Sequence, residues 1–246
     1  MQNALFVGVS SQMALARELD VIANNMANVS TTGFKARSAR FQEYLAPVAS
    51  ADSFQRSDRR VSYVIDSGTP LDLTQGPVEA DGNPTHVAVR GPAFLTVQTP
   101  NGPRFTRNGA LELDPQGTLV TGDGHAVQGE NGPITIGGQE TGLAIGPDGT
   151  VSTNFGVRGR IRLVTFANPQ SLRNEGGNLF SSTAQPQPAG IEGRLETGAL
   201  ERSNVRPVVE MTRLMDVNRT YAMVSSVISR LDDLRGTAIR RLADVA

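Results

Sequence analysis

Two apolar stripes at opposite ends of this chain constrain its fold, because neither has anything within its own segment to bury against. Near the start, Leu5, Leu15, Leu19, Ile22 and Met26 fall on one heptad seam. Toward the end the seam is stricter: Leu214, Val217, Tyr221, Val224, Ile228, Leu231, Arg235, Ala238, Leu242 and Val245, all apolar but Arg235. A repeat of about 3.5 residues sustained over several heptads predicts a coiled coil more than an ordinary surface helix. Two such helices must meet each other or other subunits. Assembly is therefore the first expectation, ahead of catalysis. Ordering each residue costs about 1–2 kcal/mol of backbone entropy, so the termini are expected to order on packing.

Composition narrows the classes that remain. The 246 residues carry a net charge of −1, so no global field recruits nucleic acid or an anionic membrane. With no cysteine, disulfides, thiolate zinc sites and cysteine nucleophiles are excluded. Lys35 is the only lysine among many arginines, which reads as base composition. No run is long enough for a transmembrane helix. The N-terminus lacks a positive n-region and soon meets Arg17, Glu18 and Asp20, unlike a secretory signal. A protein of this kind that leaves the cytoplasm needs another route.

The expected fold is α+β, with N- and C-terminal coiled-coil-like helices flanking a central all-β domain. Residues 1–34 read as the first assembly helix, closed by Thr31-Thr32-Gly33, where glycine tolerates positive φ. Residues 35–66, with Arg37, Arg40, Arg56, Arg59 and Arg60, read as an extended segment that orders only against something else. Residues 67–182 read as the β domain. Between residues 81 and 149 lie Asp81-Gly82, Asn101-Gly102, Asn108-Gly109, Asp123-Gly124, Asn131-Gly132 and Asp148-Gly149. Such pairs supply the positive φ of tight hairpins, and short β-type runs such as Phe94-Leu95-Thr96-Val97 separate them. Residues 183–203 read as a Pro/Gly/Gln linker. Residues 204–246 read as the second assembly helix. Pro207 suits its first turn and Gly236 could interrupt it.

Chemical motifs are sparse. His86 and His125 lack carboxylate or histidine neighbours at metal-ligand spacing, so no metal or cofactor is expected. Asp81, Asp123 and Asp148 each precede glycine and are explained as turn residues. Glu112, Asp114, Glu130 and Glu140 could pair as glycosidase carboxylates only if the fold brought two of them together. Met211, Met215 and Met223 on the final helix read as core. No catalytic residue and no small-molecule substrate is expected. The alternative of another class is a β-domain ligand-binding module dimerised by its helices.

The densest local signal runs from Leu19 to Lys35, through Ile22-Ala23-Asn24-Asn25-Met26-Ala27-Asn28 to Thr32-Gly33-Phe34-Lys35. Asparagine is a poor helix former, so Asn24 and Asn28, at i and i+4, are expected to bond backbone of neighbouring chains. This stretch resembles the N-terminal signature of bacterial flagellar axial proteins, the rod and hook subunits. Further matches follow in order: Gly91 to Gly102, Phe105-Thr106-Arg107-Asn108-Gly109, Leu119 to Gly124, Asn178-Leu179-Phe180, and Ser203-Asn204-Val205-Arg206-Pro207 with Arg219-Thr220-Tyr221. The short length and the wording of residues 204–208 are nearest to the proximal rod branch, with distal rod and hook subunits as alternatives.

The resemblance implies a structural subunit of a periplasmic rod that packs through its termini. Its partners would be copies of itself, other proximal and distal rod subunits, and the flagellar type III export apparatus, which takes subunits without a cleaved signal. The interface residues are then expected to be Leu15, Leu19, Ile22, Asn24, Asn25, Met26, Asn28, Gly33 and Phe34 at one end. At the other they are Leu214, Val217, Tyr221, Val224, Ile228 and Leu231.

Overall fold

The computed structural model describes residues 2–45, 62–66 and 69–243. Arg56, Arg59, Arg60 and Val245 lie outside them. The architecture is α+β and forms two compact units. One comprises residues 1–27, 37–70 and 206–246, the other residues 28–36 and 71–205.

The first unit is built on two helices. Helix α1 spans Gln2–Ala27 and helix α2 spans Pro207–Ala243. Proline opens α2 at the position where its missing N–H costs nothing, and the helix continues through Gly236 without a break. At about 1.5 Å per residue α2 is about 55 Å long. The two stripes find each other within one chain. Gly8 lies against Ile228, and Glu18 pairs with Arg213 at 3.3 Å, so the helices run antiparallel. Gly8 weakens α1 locally, but a Cβ there would sit 2.9 Å from Ile228 Cγ1. On α2 the heptad seam faces this pairing: Val217 is buried, and Leu214, Tyr221, Val224, Ile228 and Leu231 are half-buried. A two-stranded antiparallel ladder, Phe41–Leu45 with Ser62–Asp66, belongs to the same unit and takes up part of the expected extended segment.

The methionines of α2 are not core. Met211, Met215 and Met223 are exposed, together with Val208, Val227 and Leu234. Their helical positions place them away from the seam, and methionine spacing alone does not say which face a helix buries.

The second unit is all β apart from a short 3-10 turn at Pro169–Ser171. Among the described residues its largest sheet has ten strands. Strands 173–176, 179–181, 102–106, 94–99, 126–129, 119–121 and 111–113 lie in that spatial order, each antiparallel to its neighbour. Strand Phe94–Thr99 is buried on both faces. Leu95 and Val97 enter an aliphatic core with Val89, Leu119, Val127 and Ile161. Phe94 enters an aromatic core with Phe105, Phe166 and Phe180, whose rings meet edge to face with centroids 4.8–5.9 Å apart. Two cores on opposite faces of one strand bury all of it but Gln98, although Thr96, Gln98 and Thr99 interrupt its apolar residues.

The expected linker at 183–203 is largely part of this unit. Arg194–Thr197 pairs with Val87–Arg90, and Ala199–Glu201 pairs with Val78–Ala80. Leu195 and Ala199 are buried. Even the Pro/Gln stretch before them contributes a two-residue strand, Gln187–Pro188, paired with Val164 and Thr165.

Candidate functional site

Residues 28–36 follow α1 as an ordered strip on the β unit, and three of the motifs singled out in the sequence touch it through Arg107, Asn178 and Asn204. The Asn178 side chain donates to Thr32 O at 2.8 Å, from the one non-glycine position with positive φ among the described residues. Gly33 N donates to Glu201 O at 2.7 Å. Asn204 N donates to Phe34 O at 3.4 Å, and Asn204 Oδ1 accepts from Ala36 N at 2.7 Å. Asp72 N closes the strip on Ala36 O. Gly33 has φ +69°, and a Cβ on it would sit 2.5 Å from the Arg107 carbonyl. Only glycine fits both restrictions.

Beneath the strip lies a dry charge cluster. Lys35, Arg107 and Glu201 are each no more than 1% exposed. Lys35 Nζ donates to Glu201 Oε1 at 2.6 Å and to Thr74 O at 2.7 Å. Arg107 Nε donates to Glu201 Oε2 at 3.0 Å. The rest of the guanidinium donates to the carbonyls of Gly91, Ala93 and Val89, and its plane lies over the Phe94 ring. Gly76 N completes the carboxylate. Two cations thus share one anion, and the four carbonyls disperse the surplus positive charge. Burial pushes the Lys35 ammonium below the ordinary lysine range, and the Arg107 charge adds to this against the pull of Glu201.

Of the residues expected from the sequence, Gly33 and Phe34 lie in the strip. Ile22 and Asn25 are buried on α1, Leu15, Leu19, Met26 and Asn28 are half-buried, and Asn24 is exposed. Asn25 bonds backbone within its own chain: Nδ2 donates to Arg37 O at 2.8 Å and Oδ1 accepts from Arg37 N at 3.0 Å. Asn28 accepts the Thr31 hydroxyl. Replacing Asn25 by Asp removes the donor facing Arg37 O at constant size. It is expected to cost about 1–3 kcal/mol, read as an earlier urea unfolding transition of the helical unit. Lys35, Arg107 and Asn204 stand in the quoted motifs with no contact assigned to them, and Glu201 stands in none. The available signal was a single lysine directly after Gly33-Phe34 in a chain that otherwise uses arginine.

Two of the four carboxylates weighed for catalysis, Glu140 and Asp114, serve turns; Glu112 lies on strand Leu111–Leu113 and Glu130 pairs with Arg160. Glu140 accepts from Gly137 N, the Thr153 hydroxyl and Arg158, and the Thr153 hydroxyl is the main group holding its carboxyl below the usual range. A general acid needs the opposite shift. Asp114 accepts from Gln116 N and Thr118 N. Asp81 does bind His86, at 2.5 Å, but the pair is surface-lying and caps the turn at Asn83. Among the described residues no three His, Asp or Glu side chains gather as a metal site.

Among the described residues the strip, anchored on the β unit over a buried charge cluster, is a packing site. Three family models match in chain order: the flagella basal body rod protein over 5–35, the flagellar hook protein FlgE/F/G D1 domain over 88–153, and the flagellar basal body rod FlgEFG protein C-terminal region over 196–241. The chain belongs to the flagellar basal-body rod protein family, as a structural subunit of the flagellum and not an enzyme. Within it the chain is FlgF-like: it is 36% identical over 248 residues to the FlgF of Caulobacter vibrioides, covering 100% of both chains. It is 31% identical to the FlgF of Mesorhizobium japonicum, covering 98% of each. It is also 32% identical to the FlgG of Bacillus subtilis, covering 95% of this chain and 97% of that one.

Proposed function

We propose that this subunit polymerises into the proximal part of the rod, with copies of itself and other rod subunits packing against the outward face of its helical pair. The observation that carries this is the second stripe on α2. Val208, Met211, Met215, Met223, Val227 and Leu234 are 54–77% exposed. At 3.6 residues per turn they fall within an arc of about 160° opposite the heptad seam. Exposed apolar side chains in a continuous row mark an interaction face. The seam residues Leu214, Val217, Tyr221, Val224, Ile228 and Leu231, with Leu15, Leu19, Ile22, Asn25 and Met26 of α1, then hold the pair itself. The outer row meets the neighbour. Such contacts must be heterologous, since an isologous dimer closes and cannot extend. The subunit reaches the basal body through the flagellar export apparatus without a cleaved signal.

Replacing Met211, Met215 and Met223 together by serine tests the reading. The expected result is an unchanged helical circular dichroism signal and unfolding midpoint, with no rods in a rod-deficient strain that expresses the variant. Normal rods from the triple variant would overturn it.

A further inference from the structure

We propose that Glu201 is a folding gate for the N-terminal strip: residues 28–36 dock on the β unit only after the strand carrying Glu201 has closed, because that carboxylate alone makes it possible to bury Lys35 beside Arg107. Glu201 follows Lys35 by 166 residues and Arg107 by 94. Before it arrives, docking the strip would place two cations in one dry pocket with only backbone carbonyls for company. A buried charge stripped of its counterion is among the most unfavourable arrangements a fold can hold. The backbone gives the same order. Gly33 N needs Glu201 O, and Phe34 O and Ala36 N both need Asn204. Residues 201–204 therefore supply the counterion and three of the strip's hydrogen bonds. They are themselves positioned by the pairing of Ala199–Glu201 with Val78–Ala80 and by the Arg202 N bond to Pro77 O.

A chain made from its N-terminus thus carries its first signature undocked until nearly all of the β unit has been added. The strip begins one residue after α1 ends, so the gate also decides when α1 gains an ordered covalent connection. Where α1 takes part in assembly, which rests on the proposed function above, the gate withholds an assembly element from an unfinished subunit.

The test uses the full chain and charge arithmetic. The wild-type cluster carries a formal +1. E201Q, nearly isosteric, raises it to +2; K35M lowers it to 0; K35M/E201Q restores +1. Hydrogen exchange at Gly33 and Ala36 reports the strip, and exchange at Leu119 and Ile136, which bond across the β core, reports the unit. E201Q is expected to accelerate exchange at Gly33 and Ala36 by about a hundredfold or more, and K35M/E201Q to recover most of that protection. Should E201Q open the core amides as well, the double variant is expected to restore both sets. Unchanged protection in E201Q, or a double variant more open than E201Q, would overturn the gate and leave the assembly reading intact. In pulsed exchange during wild-type refolding, Gly33 is expected to become protected no earlier than Arg202. Protection of Gly33 ahead of Arg202 would also overturn it.

Discussion

Arg107→Met is expected to destabilise the β unit by about 3–5 kcal/mol, the range for removing one partner of a buried, hydrogen-bonded ion cluster. The charge count alone would not say so, since the variant leaves Lys35 and Glu201 matched one to one. The loss comes from the acceptors. Val89 O, Gly91 O and Ala93 O each lose the guanidinium donor, and Glu201 Oε2 loses its only cation. Val89 O keeps Gln75 Nε2 as a donor and Gly91 lies at the surface, but a buried acceptor that loses its donor, as Ala93 O does, costs about 1–3 kcal/mol. Methionine fills most of the stem's volume and keeps contact with Phe94, so a cavity term is small. For a unit of this size the melting midpoint should fall by about 10 °C or more. Arg90→Met is the matched control. Arg90 bonds Glu196 at 2.6 Å, but the two side chains are 47% and 45% exposed. Exposed pairs of this kind contribute about 0–1 kcal/mol. Calorimetry of the two variants side by side checks the contrast; equal shifts would mean that the buried cluster is not a stabilising unit.

This contrast also marks where sequence reading ends. The helices were legible because a heptad seam is local: spacing within α1 and α2 is enough to predict them, and Pro207 marks where α2 starts. The stripes' antiparallel pairing within one chain was not legible, and neither was the choice of face on α2, because both its faces carry apolar residues. The strands Arg194–Thr197 and Ala199–Glu201 were hidden by the Pro/Gln stretch before them and by their charged residues, with only Leu195 and Ala199 as buried apolar anchors. The charge cluster was hidden for a different reason. A Lys, an Arg and a Glu read as surface residues unless paired, and here the pairing spans most of the chain. Lys35 and Arg107 stand inside quoted motifs and Glu201 two residues before one, yet nothing in the motifs' own wording says that Lys35 faces Glu201.

Gly109→Ala is expected to cost more than about 4 kcal/mol, enough to leave the β unit largely unfolded, while Gly82→Ala costs about 1–2 kcal/mol. Both glycines follow an Asn or Asp, and both were read as hairpin residues supplying positive φ. Five of the six pairs behave so: Gly82, Gly102, Gly124, Gly132 and Gly149 have φ between +74° and +118°. Gly109 does not, and its reason for being glycine is space. A Cβ there would lie 1.7 Å from Val87 O and 2.8 Å from Val87 C. These are backbone atoms, so no rotamer change relieves the overlap. Val87 cannot retreat either. It is fully buried, its N–H donates to Gly109 O at 3.0 Å, and its strand is held in register by Arg194–Thr197. Moving it would break that ladder, which leads directly into Glu201. At Gly82, by contrast, nothing lies within 4 Å of the added methyl, and the cost is the left-handed backbone alone. Urea unfolding of the two variants, followed by tryptophan-free near-ultraviolet signals of Tyr and Phe or by calorimetry, separates them. Costs that agree to within about 1 kcal/mol would show that the backbone at Gly109 can yield, contrary to the close approach described here.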